Sequence, residues 1–403
     1  MKISVTGTNP GMHHSSIDKC ARTVLVLCAL FFILGGCVKK SVPTEMAVSF
    51  LPCSGDYLDP VGDPLPFDKL MDEASGADYV LIGEGHTSIC DHKAQFEIIE
   101  GLTRGHAKVA IGLEMVTAQK QDILNRFNLG QIPVSELAKD LDWENGWRYD
   151  FNMFKPIFEL AEKRRLTVAG LNFPFSLVKD VRENGLEGLS PEDRAMLPEN
   201  VIPPAPEQEE GLKEVLAMHQ GRDATDPKQV ERFFLVQSLW DTGMAEKAVE
   251  LRQSSGHPVV ILAGGGHVEH GWGIPRRLKV LDPQAKVMTI MPWRGEEFYP
   301  TAADSFFYCP PSYESRMGMT IEMRQGRAVI TAVKRDRKGY QKGLRPGDII
   351  VRAQGIPVHS LAAMHMAGSK AHKESKPLIF TIDRGGEFFD LDMGKLTRMK
   401  KDK

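Results

Sequence analysis

The hydrophobic positions of this chain form short continuous runs, and the stretches between those runs carry a helical period. Residues 78–83 (DYVLIG) are the first run, and the helix expected over 94–103 places Phe96, Ile99 and Leu102 on one face. Residues 109–113 are the next strand-like run, followed by a helix over 117–129. A helix over 151–165 leads into 166–171 (LTVAGL), and a long one from about 228 to 253 leads into 259–263 (VVILA). A short helix at 276–281 precedes a last run at 288–291. Continuous apolar strands alternating with helices indicate a parallel sheet covered on both faces, an α/β sandwich over residues 66–299. Residues 176–226 break the rhythm, being acidic, helical in patches and Pro-rich from Pro203 to Pro206, and read as an inserted helical cap.

After Pro300 the composition changes, and a linker over 300–314 containing Cys309-Pro310-Pro311 precedes a compact unit over 315–395. β-type segments dominate that unit, beginning at Gly318-Met319-Thr320-Ile321 and continuing over 328–333. They are followed by Gly343-Leu344-Arg345-Pro346-Gly347-Asp348-Ile349-Ile350 and then by Gln354-Gly355-Ile356-Pro357-Val358. This pattern resembles a PDZ domain, a small β-rich fold. The resemblance implies that a partner peptide or protein C-terminus adds a strand to the sheet edge, its carboxylate held by backbone N–H groups. By position, Met317, Gly318, Met319 and Thr320 form that loop. The other reading is an unrelated small β domain.

The N-terminal segment stands apart from the fold. Lys19 and Arg22 precede an apolar run over 23–34, too short to span a bilayer, which takes about 20 residues, but suited to a signal peptide covering residues 1–36. Leu34-Gly35-Gly36-Cys37 resembles the lipobox of bacterial lipoproteins, which implies that Cys37 becomes the lipidated first residue of a membrane-anchored chain. Val38 and Lys39 follow it, with none of the Asp that retains such proteins in the inner membrane. The expected address is therefore the outer membrane, facing the periplasm, with cell-surface exposure left open. The uncharged stretch over 6–17 makes Met12 a second candidate start. Residues 37–65 carry Pro43, Pro52, Pro60 and Pro64 with little periodicity and read as a tether. Cys20 and Cys28 would leave with the signal, so Cys53, Cys90 and Cys309 remain in an oxidising compartment, enough for one disulfide and one thiol with the pairing open.

Composition narrows the function class. The 403-residue chain is 42% hydrophobic, enough for two or three domains with ordinary cores. A formal net charge of -3 gives no large basic field, which argues against a nucleic-acid partner. The Gly264-Gly265-Gly266 run lacks the Gly-Lys-Ser/Thr continuation of a phosphate-binding loop.

Candidate chemistry gathers at strand ends. Glu84 and His86 follow the first run, Glu114 the second, Asn172 the third, and His267 follows the fourth across the glycines. In a parallel sheet all carboxyl ends share one rim, where ligands bind. Any one of these residues also fits a structural role: Glu84 as a helix cap, the glycines as a connection, a lone histidine as a satisfied core group.

The motifs Gly83-Glu84-x-His86, His92-x-x-Gln95, Gly112-Leu113-Glu114-Met115 with Gln121, Gln237-x-x-Trp240-Asp241-x-x-Met244-Ala245 and Gly264-x-Gly266-His267 with Gly273-Ile274-Pro275 resemble the ChaN-like family over about residues 65 to 295. The family sits in a wider α/β group with Tiki-type metalloproteases and erythromycin-esterase-like hydrolases. The resemblance implies an iron-regulated envelope lipoprotein that binds haem. Where the family has two adjacent histidines, this chain has Asp91-His92.

Two chemistries compete for the rim. Haem iron takes His or Tyr as axial ligand and the macrocycle takes an apolar cleft. His86, His92 and His267 are candidate ligands, with Tyr149 offering a phenolate, and Trp143, Trp147, Tyr149, Phe151 and Phe154 are either a porphyrin-facing wall or core. For hydrolysis, Glu84 and Glu114 would share acid–base work or hold a divalent metal with His86 and His267. There is no His-Glu-x-x-His motif, and Cys90, four residues after His86, makes a poor metal signature. His270 and Asn172 stay outside the core set. A third reading leaves the rim without chemistry and only the PDZ-like unit binding.

Overall fold

The structure, a computed structural model, describes residues 52–147, 149–220, 227–295 and 299–395. The signal segment and Cys37 lie outside these residues, and no helix among the described residues is long and apolar enough to cross a membrane.

Seven strands form the first sheet: β1 (Tyr57–Leu58), β2 (Tyr79–Glu84), β3 (Ala110–Thr117), β4 (Thr167–Asn172), β5 (Val259–Gly264), β6 (Val287–Trp293) and β7 (Ser305–Tyr308), in the spatial order β1-β7-β6-β2-β5-β3-β4. Every pair is parallel except β1 with β7. The apolar runs read as strands because both sheet faces are covered, and side chains alternate between two cores. Val80, Ile82, Ile111, Leu113, Val260 and Leu262 pack against helices that include Ile89–Leu102 and Phe151–Arg164. Leu81, Ala110, Ile261 and Ala263 face Met244, Ala245 and Ala248 of the helix Pro227–Ser255. Each fully buried aliphatic side chain contributes about 1.5–3 kcal/mol of transfer free energy.

Two boundaries differ from the sequence reading. The tether over 37–65 already contains β1, with Leu58 wholly buried against the sheet edge. The linker over 300–314 contains β7, whose Phe306 and Phe307 are also buried. Both strands are too short for a periodic signal and are fixed by pairing with each other.

The expected disulfide is Cys90–Cys309, which ties the start of the helix Ile89–Leu102 to the residue after β7, and Cys53 is the free thiol. The cap residues form the helices Phe175–Asn184, Pro191–Ala195 and Pro206–Gln220, with a small core of Leu177, Val181 and Leu197 against Val236 and Leu239.

The C-terminal sheet is antiparallel and holds β8 (Ser312–Glu314), β9 (Met319–Arg324), β10 (Arg327–Val333), β11 (Ile349–Ala353), β12 (Ile356–Pro357), β13 (Ile379–Arg384) and β14 (Glu387–Asp392). Its order is β14-β13-β11-β10-β9-β8, with β12 paired to β11 and the helix Leu361–Lys373 alongside. The Gly347-Asp348 pair has a structural cause. Asp348 is buried and accepts from Arg345 N at 2.8 Å and from Arg384 Nε at 2.6 Å, which locks the turn into β11.

Candidate functional site

β5 lies between β2 and β3, so the ends of three strands meet. Glu84 closes β2 in register with Gly264 at the end of β5. Glu114 sits inside β3, which runs on to Thr117 past the expected end at Leu113. The N–H of Gly264 donates to Glu114 Oε2 at 2.6 Å. A Cβ at Gly264 would stand 2.8 Å from His86 Cε1 and 3.5 Å from Glu114 Oε2. The missing side chain is what lets an imidazole and a carboxylate close over the strand end.

Glu84 is buried and shared by two histidines. Its Oε1 lies 2.7 Å from His86 Nδ1. Its Oε2 makes a 2.8 Å ion-pair contact with His92 Nδ1 but lacks the alignment of a hydrogen bond. Burial opposes its charge, yet the two imidazoles outweigh that and lower its pKa. His86 and His92 both move the other way: burial disfavours the charged ring, but the hydrogen bond of Glu84 and the field of Glu114 prevail at His86, and the close contact and field of Glu84 prevail at His92.

The histidines differ in access. The His86 side chain is 30% exposed, and its ring packs 4.8 Å from Trp147 and 5.2 Å from Tyr149, centroid to centroid. Nδ1 is held by Glu84, and Nε2 has no hydrogen-bond partner among the described residues. His92 is enclosed at 1% exposure, its Nδ1 also 3.1 Å from Gln95 Oε1 and its Nε2 3.3 Å from the His86 carbonyl. Enclosed and engaged at both nitrogens, His92 is placed to brace Glu84 rather than to face the rim.

His267, 14% exposed, follows the glycine turn. Its Nδ1 lies 2.7 Å from Asp241 Oδ1 and its Nε2 3.6 Å from Glu114 Oε1. Burial works against the imidazolium, but Glu114 and Asp241 outweigh it and push the pKa up to about 9. With Nδ1 held by Asp241 and Nε2 turned toward Glu114, His267 is engaged at both ring nitrogens, unlike His86. Behind it, Arg277, fully buried, lies 3.5 Å from Asp241 Oδ2 and donates to Gln208 Oε1 at 2.9 Å and to the Ile202 carbonyl at 3.1 Å. This network pins the cap to the rim.

The structure therefore brings Glu84, His86, Glu114 and His267 together and adds Tyr149 through His86. The aromatic cluster divides: Trp143 and Phe154 belong to the core, Phe151 packs partly against it, and Trp147 and Tyr149 face His86. Trp147 Nε1 is buried with no acceptor among the described residues. For a metal, the only group of three ligand atoms lying mutually within 4.8 Å among the described residues is Cys90, Asp91 and Cys309, and two of these are joined as a disulfide.

Asp91 is buried in an ion pair with Arg294 and accepts from Gly85 N at 2.8 Å. It fixes the turn that carries His86. Asp241 and Arg277 join the site only in the structure, although the sequence carries a signal for Asp241. Asp241 shares a helical stripe with Ala245 and Ala248, all three buried, and a carboxylate on an apolar stripe asks for a buried partner.

A family model described as haem-binding uptake, Tiki superfamily, ChaN matches residues 70–278, which include every rim residue above. The chain belongs to the ChaN haem-binding family. Beyond its ChaN part, a PDZ domain model matches residues 315–393. Among solved structures, one described as cofacial heme binding to ChaN of Campylobacter jejuni aligns with a TM-score of 0.52 at 20% identity, covering 62% of this chain and 95% of that one. That likeness shows the shared ChaN fold. An erythromycin esterase mutant in its open conformation aligns at 0.37 and 14% identity, covering 59% of this chain and 76% of its own. The type III effector HopBA1 aligns at 0.34 and 12%, covering 67% and 99%. No curated protein matches the chain in sequence.

Proposed function

We propose that this protein is a lipid-anchored envelope protein of the outer membrane, facing the periplasm, that binds haem at the rim for uptake or storage and contacts protein chain ends through its PDZ domain. One observation carries the haem reading. His86 is the rim histidine that combines exposure, a ring nitrogen without a partner among the described residues and an aromatic flank. Its Nδ1 is oriented by a buried carboxylate, the arrangement by which proteins set metal-ligating imidazoles. Haem iron accepts one or two axial ligands, and the porphyrin brings a flat apolar face. His86 Nε2 and the Tyr149 hydroxyl are the ligands on offer. Trp147 and Tyr149 supply ring faces, while Glu84, braced by His92, holds the His86 tautomer. The anchor rests on the lipobox-like residues ending at Cys37.

The test is an absorbance titration of the purified protein with haem. A Soret band that shifts and saturates at a fixed stoichiometry supports the reading; no shift beyond that of free haem overturns it.

A hydrolytic second reading rests on a separate observation. The pairs Glu84–His86 and Asp241–His267 flank Glu114, and the fields of Glu114 and His267 both reach His86. Such paired groups with displaced proton affinities suit general acid–base work. A divalent-metal form of this chemistry needs Glu84, His86, Glu114 and His267 to draw closer together. Turnover of ester or peptide substrates that vanishes in Glu114→Gln would support it.

A further inference from the structure

The C-terminal domain has its own groove, of about 1180 Å³, away from the rim. It runs between the β8 end of the sheet and the helix Leu361–Lys373. Met319, Leu361, Met364, Leu378 and Phe380 give it an apolar wall. Arg316, Lys334, Arg337, Lys338 and Lys395 line it with cations, and Glu314 is the one acidic lining residue. A site so charged selects an anionic ligand.

Strand addition needs a free edge on β9, and that edge is taken. β10 pairs with one side of β9 and β8 with the other, in the register Ser312–Glu322, Tyr313–Ile321 and Glu314–Thr320. Flanking bonds from Met323 N to the Pro311 carbonyl and from Ser315 N to the Met319 carbonyl, each 2.8 Å, place Tyr313 and Ile321 as a hydrogen-bonded pair. The loop expected to receive a carboxylate is closed as well, since Met317 N donates to Ser315 Oγ and Gly318 N to the Ser315 carbonyl. Glu314 meanwhile forms an ion pair with Lys334.

β8 is not an integral part of the domain. It precedes the PDZ match, which begins at residue 315. It is three residues long, all exposed, and it starts three residues after Cys309, which the disulfide anchors. Short exposed pairing and an exposed ion pair hold weakly.

We propose that β8 is a built-in stand-in for the ligand, with Glu314 mimicking its acid group, and that the groove takes the acidic C-terminus of a partner protein, which displaces β8 from β9 and claims Lys334. The inference rests on the reading that the PDZ domain binds peptides. After displacement Cys309 keeps the released segment tethered.

The probe is a fluorescein-labelled decapeptide with three glutamates ahead of a C-terminal valine, compared with its C-terminal amide and with a lysine counterpart. Removing an internal competitor raises apparent affinity by the inverse of the open fraction, so Tyr313→Pro, which deletes the β8 donor, is expected to bind about tenfold tighter than wild type, and Glu314→Gln about fivefold tighter. Amide and lysine peptides are expected to bind at least about tenfold more weakly than the acidic acid form. Amide exchange in the wild type gives a reading that needs no variant: with peptide bound, Ser315 N–H loses protection while Met323 N–H keeps it. Equal or weaker binding by both variants, or an unchanged Ser315 amide, overturns the displacement. Equal binding of the lysine peptide or the amide overturns the acidic chain end. No binding by any form overturns both the inference and the peptide reading beneath it.

Discussion

The two sheets build their sites in opposite ways. The parallel sheet gathers a site at strand ends, where β2, β5 and β3 deliver Glu84, Gly264 and Glu114 to one place and the groups are locked by buried carboxylates. The antiparallel sheet offers a strand edge, and the edge of β9 is guarded by a three-residue segment. Strand ends are fixed by the same burial that stabilises the fold, whereas an edge is governed by whatever short segment lies beside it. Disturbing the rim should therefore cost the whole domain, and disturbing β8 should cost little more than its own docking energy.

The largest effect is expected at Arg277. Arg277→Ala leaves Asp241 and Gln208 buried without their cation, a change that typically costs about 3–5 kcal/mol. Urea unfolding would measure it, and a loss comparable to a surface substitution would remove the claim that the cap is pinned through this network. Next comes the Cys90–Cys309 bond, whose loss in Cys309→Ser is expected to lower stability by about 2–4 kcal/mol in the same assay.

Gly264→Ala is expected to cost about 1–3 kcal/mol, because its Cβ would meet His86 Cε1 at 2.8 Å. Haem affinity should fall with it as His86 is pushed from its place; retained affinity would mean that the ring position does not matter.

The pH dependence is subtler. His267 is held up to about 9 from an ordinary 6.5. A raised histidine stabilises the fold fully below its unfolded pKa and loses that contribution as pH rises through the folded value. The melting temperature should fall by a few degrees between pH 6.5 and 9. His267→Gln should flatten most of that slope, leaving the part owed to His86 and His92, which shift in the same direction.

The smallest change is expected at the edge. Tyr313→Pro should cost only about 1.4 kcal/mol, the energy equivalent of the tenfold gain in peptide affinity. A large loss there would erase the contrast between the two sheets.

The same contrast explains what could be read from the sequence. Apolar runs such as 78–83 and 259–263 announce central strands, and a polar residue directly after each run announces a rim residue, so Glu84 and His267 were legible from position alone. The short strands β1, β7 and β8 were not, because two to four residues carry no period, and β1 and β7 are paired with each other across most of the chain. Nor could sequence sort the histidines. His86, His92 and His267 look equivalent in a motif, and only packing shows one half-exposed beside Trp147 and Tyr149 and two enclosed by acceptors.

Haem titration of His86→Ala and His267→Gln in parallel addresses the claim that one histidine faces the ligand while the others hold the frame. The account predicts that His86→Ala weakens haem binding at least about tenfold, equivalent to about 1.4 kcal/mol, while His267→Gln stays within about threefold of wild type. Unchanged affinity in His86→Ala, or a loss in His267→Gln as large as that expected for His86→Ala, would contradict it.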